Sequence, residues 1–383
     1  MSGGLRIGMV AGEASGDYLG SELIKSLKDR RPGCTVEGIG GPAMQAAGCT
    51  SLFPMETLSV MGLVEVISRI REITGIRKKL LQYFIDNPPD IFVGIDAPDF
   101  NLWLEERLRA TGIKTVHYVS PQVWAWREYR IKKILRSVDL MLPLFPFEET
   151  YYRRKGIRTS CVGHPLARQI PMQPDKTAAR ERLGLPHDRE VIAVMPGSRN
   201  TELSRLIQPF FQAALRCMQE NKDLFLISNL VNRDSLAQVQ EYLQGRGADP
   251  ADFALFHGRS LDVLEAADVA LLASGTITLE AMLYKRPMVV GYRLNPLTYL
   301  LARRLVRVKF VSLPNLMAGR DLVPECLQSE CNPERLAAEI MAWLDNPGRI
   351  RQLQSEFNRL HTTLNLDTGK IVSDKILALV NNK

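Results

Sequence analysis

Two carboxylates, Asp96 and Asp99, close a short apolar run in the stretch IFVGIDAPDFN, residues 91–101. An unpaired carboxylate is expensive to bury, so such residues belong where a strand opens into a cleft or where they cap a helix. Asp99 precedes the helical run FNLWLEERL, and an N-cap accounts for it. Pro98 ends the strand because it cannot donate to a ladder. Asp96 lies before the turn, where capping explains it less well. A carboxylate there can take the proton of a bound hydroxyl, a role worth about 10²–10⁴ in rate. The spacing is DxxD, not the adjacent DxD of a metal-bridged pyrophosphate site, so Asp96 is the candidate base.

Four further loops carry chemistry-bearing residues. AGEASGD (11–17) holds the place of a dinucleotide phosphate loop, but its spacing is not GxGxxG, and Glu13 and Asp17 would repel a pyrophosphate. Glu13, Ser15 and Gly16 suit a neutral, hydroxyl-rich ligand such as a sugar; alternatively Gly12 and Gly16 make a tight turn and Asp17 caps the next helix. In SPQVWAWREYR (120–130) Trp124 and Trp126 share one face if the segment is a strand, either as core or as a platform for a sugar or acyl chain. In MPGSRNTEL (195–203) Gly197 and Ser198 form a small-residue loop, Arg199 adds a fixed cation and a helix starts near Thr201. Backbone N–H groups plus a guanidinium make a diphosphate receptor, unless Arg199 is spent on a structural ion pair. In ASGTITLEAM (273–282) Ser274, Gly275 and Thr276 suit phosphate, and Glu280 is placed to accept two ribose hydroxyls.

The elements that must position these loops alternate between strand and helix. LRIGMV, IFVGID, IKTVHYV and DLMLPLF are short apolar runs separated by helical patterns, which predicts a parallel sheet covered on both faces. A proline-rich passage, 163–176, reads as a linker. The pattern then restarts with VIAVMPG, DLFLISNL, FALFHG, DVALLAS and PMVVGY. The prediction is an α/β chain of two Rossmann-like doubly wound domains. The first spans 1–168 and the second 175–345, with C-terminal helices over 346–383 packing back on an N-terminal domain. Such domains bind ligand at the carboxyl ends of their strands, in the crevice between them.

Composition sets limits on partners. The 383 residues carry a formal charge of +7, which permits anionic partners without choosing among them. No RNA-recognition pattern or helix-turn-helix stands out, so no nucleic-acid partner is expected. The six cysteines form no CxxC pair and the five histidines are dispersed; reduced thiols, a cytoplasmic setting and no metal site are the expectation. Neither a signal peptide nor a spanning segment is evident. The segment 58–84 should form two helices broken at Thr74-Gly75. Leu63, Val66, Ile67 and Ile70 recur at helical spacing, which alone fits a core face. Val60, Met61 and Val64 lie off that stripe, and Arg69, Arg71, Arg77, Lys78 and Lys79 flank it, as at a membrane interface.

VAGEASGD, VGIDAPDFN, HYVSPQVWAWR, PGSR, LLASGTITLEAML and VSLPNLMAGR, in this order, resemble the lipid-A-disaccharide synthase family over nearly the whole chain. The resemblance implies a GT-B-type inverting glycosyltransferase that needs no metal or cofactor. It would join UDP-2,3-diacylglucosamine to 2,3-diacylglucosamine 1-phosphate, giving the β-1′,6-linked disaccharide and UDP. Asp96 would then deprotonate the acceptor 6-hydroxyl, and Arg199 with Gly197, Ser198, Ser274, Gly275 and Thr276 would hold the diphosphate. Glu280 would bind the ribose and Asn315 would sit near the nucleotide, with Glu13, Ser15, Gly16 and Gln122 on the substrate side. Gln122 replaces a serine common in the family, and Asn200-Thr201 replace smaller residues. The resemblance also implies a peripheral place on the cytoplasmic face of the inner membrane, with Met61, Leu63, Val64, Val66, Ile67 and Ile70 facing the acyl chains, and a homodimer that swaps C-terminal helices. A UDP-N-acetylglucosamine epimerase or a transferase for another lipid acceptor is the nearest rival. A non-catalytic two-domain binding module is a more distant one.

Overall fold

The computed structural model describes residues 4–58, 63–126, 128–295, 299 and 308–381. They form two compact units: Met1–Pro165 with Leu364–Lys383, and Leu166–Thr363. In unit 1 the strands are β1 (Arg6–Ala11), β2 (Thr35–Ile39), β3 (Cys49–Ser51), β4 (Ile91–Ile95), β5 (Lys114–Tyr118) and β6 (Leu140–Leu142). Their order is β3-β2-β1-β4-β5-β6, all parallel. The helices are α1 (Ala14–Arg30), α2 (Pro42–Ala46), α3 (Leu63–Asp86), α4 (Pro98–Ala110), α5 (Ile131–Ser137) and α6 (Pro146–Arg154). Ile91, Phe92, Val93 and Ile95 are fully buried, as expected of a strand covered on both faces.

Unit 2 repeats the plan. Its strands are β7 (Glu190–Met195), β8 (Leu224–Leu230), β9 (Phe253–His257), β10 (Val269–Ala273), β11 (Met288–Tyr292) and β12 (Glu325–Leu327). Read as β9-β8-β7-β10-β11-β12, this parallel sheet has the strand order of the first. Its helices include α7 (Pro165–Gln169), α8 (Lys176–Leu183), α9 (Asn200–Glu220), α10 (Arg233–Gly245), α11 (Ser260–Ala266) and α12 (Ile277–Leu283). The strand order reverses between β1 and β4 in one unit and between β7 and β10 in the other. Those are the switch points where a doubly wound sheet binds ligand, and four of the loops singled out in the sequence follow these four strands.

Three expectations change. α3 is one continuous 24-residue helix through Thr74-Gly75. A glycine inside a helix weakens it by only about 1 kcal/mol, and Leu80 and Phe84 anchor this one in the core. Of the C-terminal helices, only Thr368–Asn381 belongs to unit 1, where Val372, Ile376 and Leu379 join the core beside α1 and Arg30 pairs with Asp374 at 3.3 Å. Most of the helix Pro347–Leu364 stays with unit 2: the His361 ring bonds the Ala167 carbonyl at 2.6 Å, and Gln354 Nε2 donates to Lys285 O. Finally, β2, β3 and β12 were not foreseen; two have three residues, and β2 carries Glu37 and Gly38, so none shows an apolar run.

Candidate active site

In unit 1 the loops after β1 and β4 lie side by side because those strands pair, with Ala11 opposite Ile95. Glu13 is the N-cap residue of α1, and Ser15 Oγ donates to its Oε1 at 2.6 Å. Gly16 is buried in the first turn of α1, where a Cβ would make only ordinary contact, 3.4 Å from Ala11 Cβ and 3.6 Å from Ile95 Cγ2. Asp17 does not cap its own helix. It is buried within α1, and its two carboxylate oxygens accept the N–H groups of Ala43 and Met44, both at 2.9 Å, which caps α2.

The turn after β4 is held in an unusual backbone. Asp96 (φ 49°) and Ala97 (φ 42°) are left-handed, as is Val119 (φ 72°) at the end of β5. Such conformations are rare for residues with a Cβ, rarest for a β-branched one, and cluster at functional sites. Ala97, not Asp99, is the N-cap residue of α4. Asp99 lies in the first helical turn, its carboxylate mostly exposed and paired with Arg130. Asp96 is tied by its backbone: its N–H donates to Tyr118 O at 2.8 Å, and its carbonyl accepts Asn101 Nδ2 at 2.8 Å. Its carboxyl interacts with Glu13 and His117. Burial, then the charge of Glu13, raise it above the usual carboxylate range; His117 acts against them, and a hydrogen bond with Glu13 adds to the rise.

His117 was not foreseen as a functional residue. It lies on β5, fully buried, with Nδ1 2.7 Å from Oε1 of the equally buried Glu105 on α4. The available signal was a histidine in the middle of an apolar strand and a glutamate four residues after Asn101 on a buried helix face.

The 121–126 segment is a turn and not a strand. Trp124 is half-buried, with Nε1 donating to Glu148 Oε1 at 3.1 Å, whereas Trp126 and Gln122 are exposed. The two indoles therefore share no face. Of the candidate acyl-facing positions, Met61 lies outside the described residues, as do the side chains of Leu63, Val64, Val66 and Ile67; Ile70 is 54% exposed.

In unit 2 the PGSR loop joins β7 to α9. Gly197 has φ 108°, and a Cβ there would come within 2.6 Å of Glu202 Oε2. The Glu202 carboxylate accepts Ser198 N–H at 3.3 Å, Arg199 N–H at 3.4 Å and Arg199 Nη1 at 2.9 Å. Glu202 thus folds the loop around its own carboxylate and takes both amides, while the Arg199 side chain, paired with it, remains 78% exposed. The loop after β10 holds Ser274, whose Oγ donates to Val311 O, followed by exposed Gly275 and Thr276. Glu280 is raised by burial, with Ser260 acting against it. Asn315 is fully buried and saturated. Its Nδ2 donates to Val323 O and Glu325 Oε1, and its Oδ1 accepts Leu322 and Val323 N–H, all within 3.0 Å. It shapes the loop beside Ser274 and has no hydrogen bond to spare for a nucleotide. Glu325, which also accepts Val311 and Ser312 N–H at 2.9 Å, is the anchor that the sequence did not reveal.

Two parallel doubly wound units with loops of this kind are the architecture of GT-B glycosyltransferases. The fold agrees with that of the glycotransferase of kitacinnamycin (TM-score 0.62, 17% identity, 99% of each chain). It agrees equally with a UDP-N-acetylglucosamine 2-epimerase from Listeria monocytogenes, described as putative (TM-score 0.64, 15% identity, 98% of this chain and 96% of that one). The family model for lipid-A-disaccharide synthetase matches residues 7–376. Lipid-A-disaccharide synthases of Pseudomonas paraeruginosa (48% identity, all of both chains) and Pseudomonas syringae pv. tomato (50%, 99% of this chain and 98% of the relative) are similar throughout. The chain belongs to the lipid-A-disaccharide synthetase family: it is a glycosyltransferase of lipid A biosynthesis, acting at the step that forms the disaccharide.

Proposed function

We propose that the chain transfers 2,3-diacylglucosamine from UDP to the 6-hydroxyl of 2,3-diacylglucosamine 1-phosphate, with Asp96 as the base and inversion at the anomeric carbon. The single observation that carries this reading is the Asp96 turn: a half-buried carboxylate at a switch point, on a left-handed backbone held by Tyr118 and Asn101. Attack on an anomeric carbon needs one group to take the hydroxyl proton and another to stabilise the departing diphosphate. Asp96 meets the first need. Arg199, whose exposed guanidinium keeps N–H groups beyond the one that Glu202 accepts, meets the second, so the reaction needs no metal or cofactor.

Ser274, Gly275 and Thr276 border the diphosphate, and Glu280 takes the ribose hydroxyls. Asn315 acts by holding the neighbouring loop. Glu13, Ser15, Gly16 and Gln122 lie on the acceptor side. The acyl chains enter along the amino-terminal part of α3 from the cytoplasmic face of the inner membrane, to which the protein binds peripherally. No helix among the described residues is long and apolar enough to cross a membrane. The helix Thr368–Asn381 is the element that a C-terminally swapped homodimer would exchange. The domains acting in this way are 1–168 and 175–345, with the exchanged region inside 346–383.

The test is UDP release from UDP-2,3-diacylglucosamine with and without the acceptor, in EDTA throughout. Release should require acceptor, survive EDTA and fall at least 10²-fold in Asp96→Asn, with UDP affinity retained. Release that EDTA abolishes would overturn metal independence, and an active Asp96→Asn enzyme would overturn the base.

A further inference from the structure

We infer that the buried Glu105–His117 pair is a positioning device for Asp96: Glu105 fixes the His117 ring, and that ring, when it carries a proton, favours the ionised form of the neighbouring carboxylate. The inference rests on the assignment of Asp96 as base.

The geometry is built from three elements. β5 carries His117 opposite Gly94 of β4, two residues before Asp96. Gly94 leaves the space that the pair fills, since a Cβ there would lie 2.2 Å from Glu105 Oε1. α4 starts at the Asp96-Ala97 turn and lays Asn101 and Glu105 on one buried face. Asn101 Nδ2 donates to the carbonyls of Asp96, Ile95 and Val10, so the strand ends, the turn and the helix move as one body. Any shift of Glu105 is transmitted to Asp96 through that helix.

Stability alone gives no reason for the pair. His117 Nε2 and Glu105 Oε2 are both buried without a hydrogen-bond partner. An unsatisfied buried polar atom costs about 1–3 kcal/mol, and a buried ion pair is commonly replaceable by apolar groups without loss. A charge that acts on a neighbour does explain it. Burial lowers the affinity of His117 for a proton, but the charge and hydrogen bond of Glu105, then the charge of Asp96, more than reverse this and raise it above the ordinary histidine value; burial likewise raises Glu105, against His117 and Lys133. The charged groups around the pair are Asp96 in the turn after β4, Glu13 acting on Asp96 from the loop after β1, and Lys133 acting on Glu105 from α5. Asp96 is thus pushed toward its protonated form by burial and Glu13, and toward its ionised form by His117.

The test reads pH dependence. With saturating donor and acceptor, the acid limb of the kcat profile should move to higher pH in His117→Gln and in Glu105→Gln, because each removes the cation that favours ionised Asp96. A uniform loss of kcat with the limb in place would mean a structural pair and overturn the inference. Because both residues are core residues, histidine ¹⁵N NMR supplies a second readout on the wild-type chain and on Asp96→Asn. The His117 ring should titrate above the ordinary histidine value, and at lower pH in Asp96→Asn. A ring that titrates at or below the ordinary value, or identical titrations, would overturn the coupling. An active Asp96→Asn enzyme would instead remove the base itself, so the two failures are distinguishable.

Discussion

Glu148 shows how one residue reports the environment of a loop. It is 4% exposed at the start of α6, where it accepts Trp124 Nε1 at 3.1 Å and Phe145 N–H at 3.2 Å. Burial pushes its carboxyl up to about 7, against hydrogen bonds from Ser120, Trp124 and the backbone. Because the folded value lies above the unfolded one, the folded state holds the extra proton between about pH 4.5 and 7. The stability linked to this group is therefore complete at low pH and is lost as pH rises through about 7. Over that window the linkage is of order 3 kcal/mol. Glu148→Gln keeps an acceptor for Trp124 and removes the titration. Urea unfolding at pH 5, 6, 7 and 8 should show a stability decline in the wild type that is flatter in Glu148→Gln. Parallel declines would mean that the carboxyl ionises at an ordinary value. Among the candidate site residues, Asp96 was legible because a carboxylate after an apolar run needs a reason. His117, Glu105 and Glu325 were not, because their partners stand on other elements and no spacing along the chain records the contact.

At the scale of elements, strands were legible where burial on both faces produced an apolar run, and illegible where pairing alone defined them, as in β3 and β12. Both caps expected from the sequence were misplaced: Ala97, not Asp99, is the N-cap residue of α4, and Asp17 serves another helix. α2 has no side-chain cap of its own; Asp17, from the first turn of α1, accepts two of its amides. A Cβ on Gly41 would lie 2.6 Å from Asp17 Oδ2, so the chain at that point is shaped to this carboxylate. Asp17→Ala should strand both amides and lower stability by about 1–3 kcal/mol. Thermal melts would show a clear fall in Tm for Asp17→Ala and a smaller one for Asp17→Asn, which keeps one acceptor. Equal melts for all three proteins would show that water replaces the cap.

At the scale of the molecule, the two units repeat one strand order, yet their loops divide the work. Unit 1 presents carboxylates suited to a hydroxyl, and unit 2 presents an exposed guanidinium suited to a diphosphate. The formal charge of +7 is larger than either site uses and suits an anionic surface. Each basic side chain near such a surface adds about 1 kcal/mol of attraction. α3 supplies the apolar component in sequence, and Ile70, more than half exposed on it, lies beside Arg71 and before Arg77, Lys78 and Lys79. Charge and apolar burial together should hold the protein on vesicles containing phosphatidylglycerol and release it from neutral phosphatidylcholine. Cosedimentation should weaken as salt screens the charges. It should also fall several-fold when Val64, Ile67 and Ile70 become serine, since each buried CH₂ contributes about 0.8 kcal/mol. Turnover of a short-chain, soluble acceptor should be unchanged in that triple variant. Loss of vesicle binding with soluble turnover intact would place the membrane contact on α3. Undiminished binding would leave the attraction to charge alone.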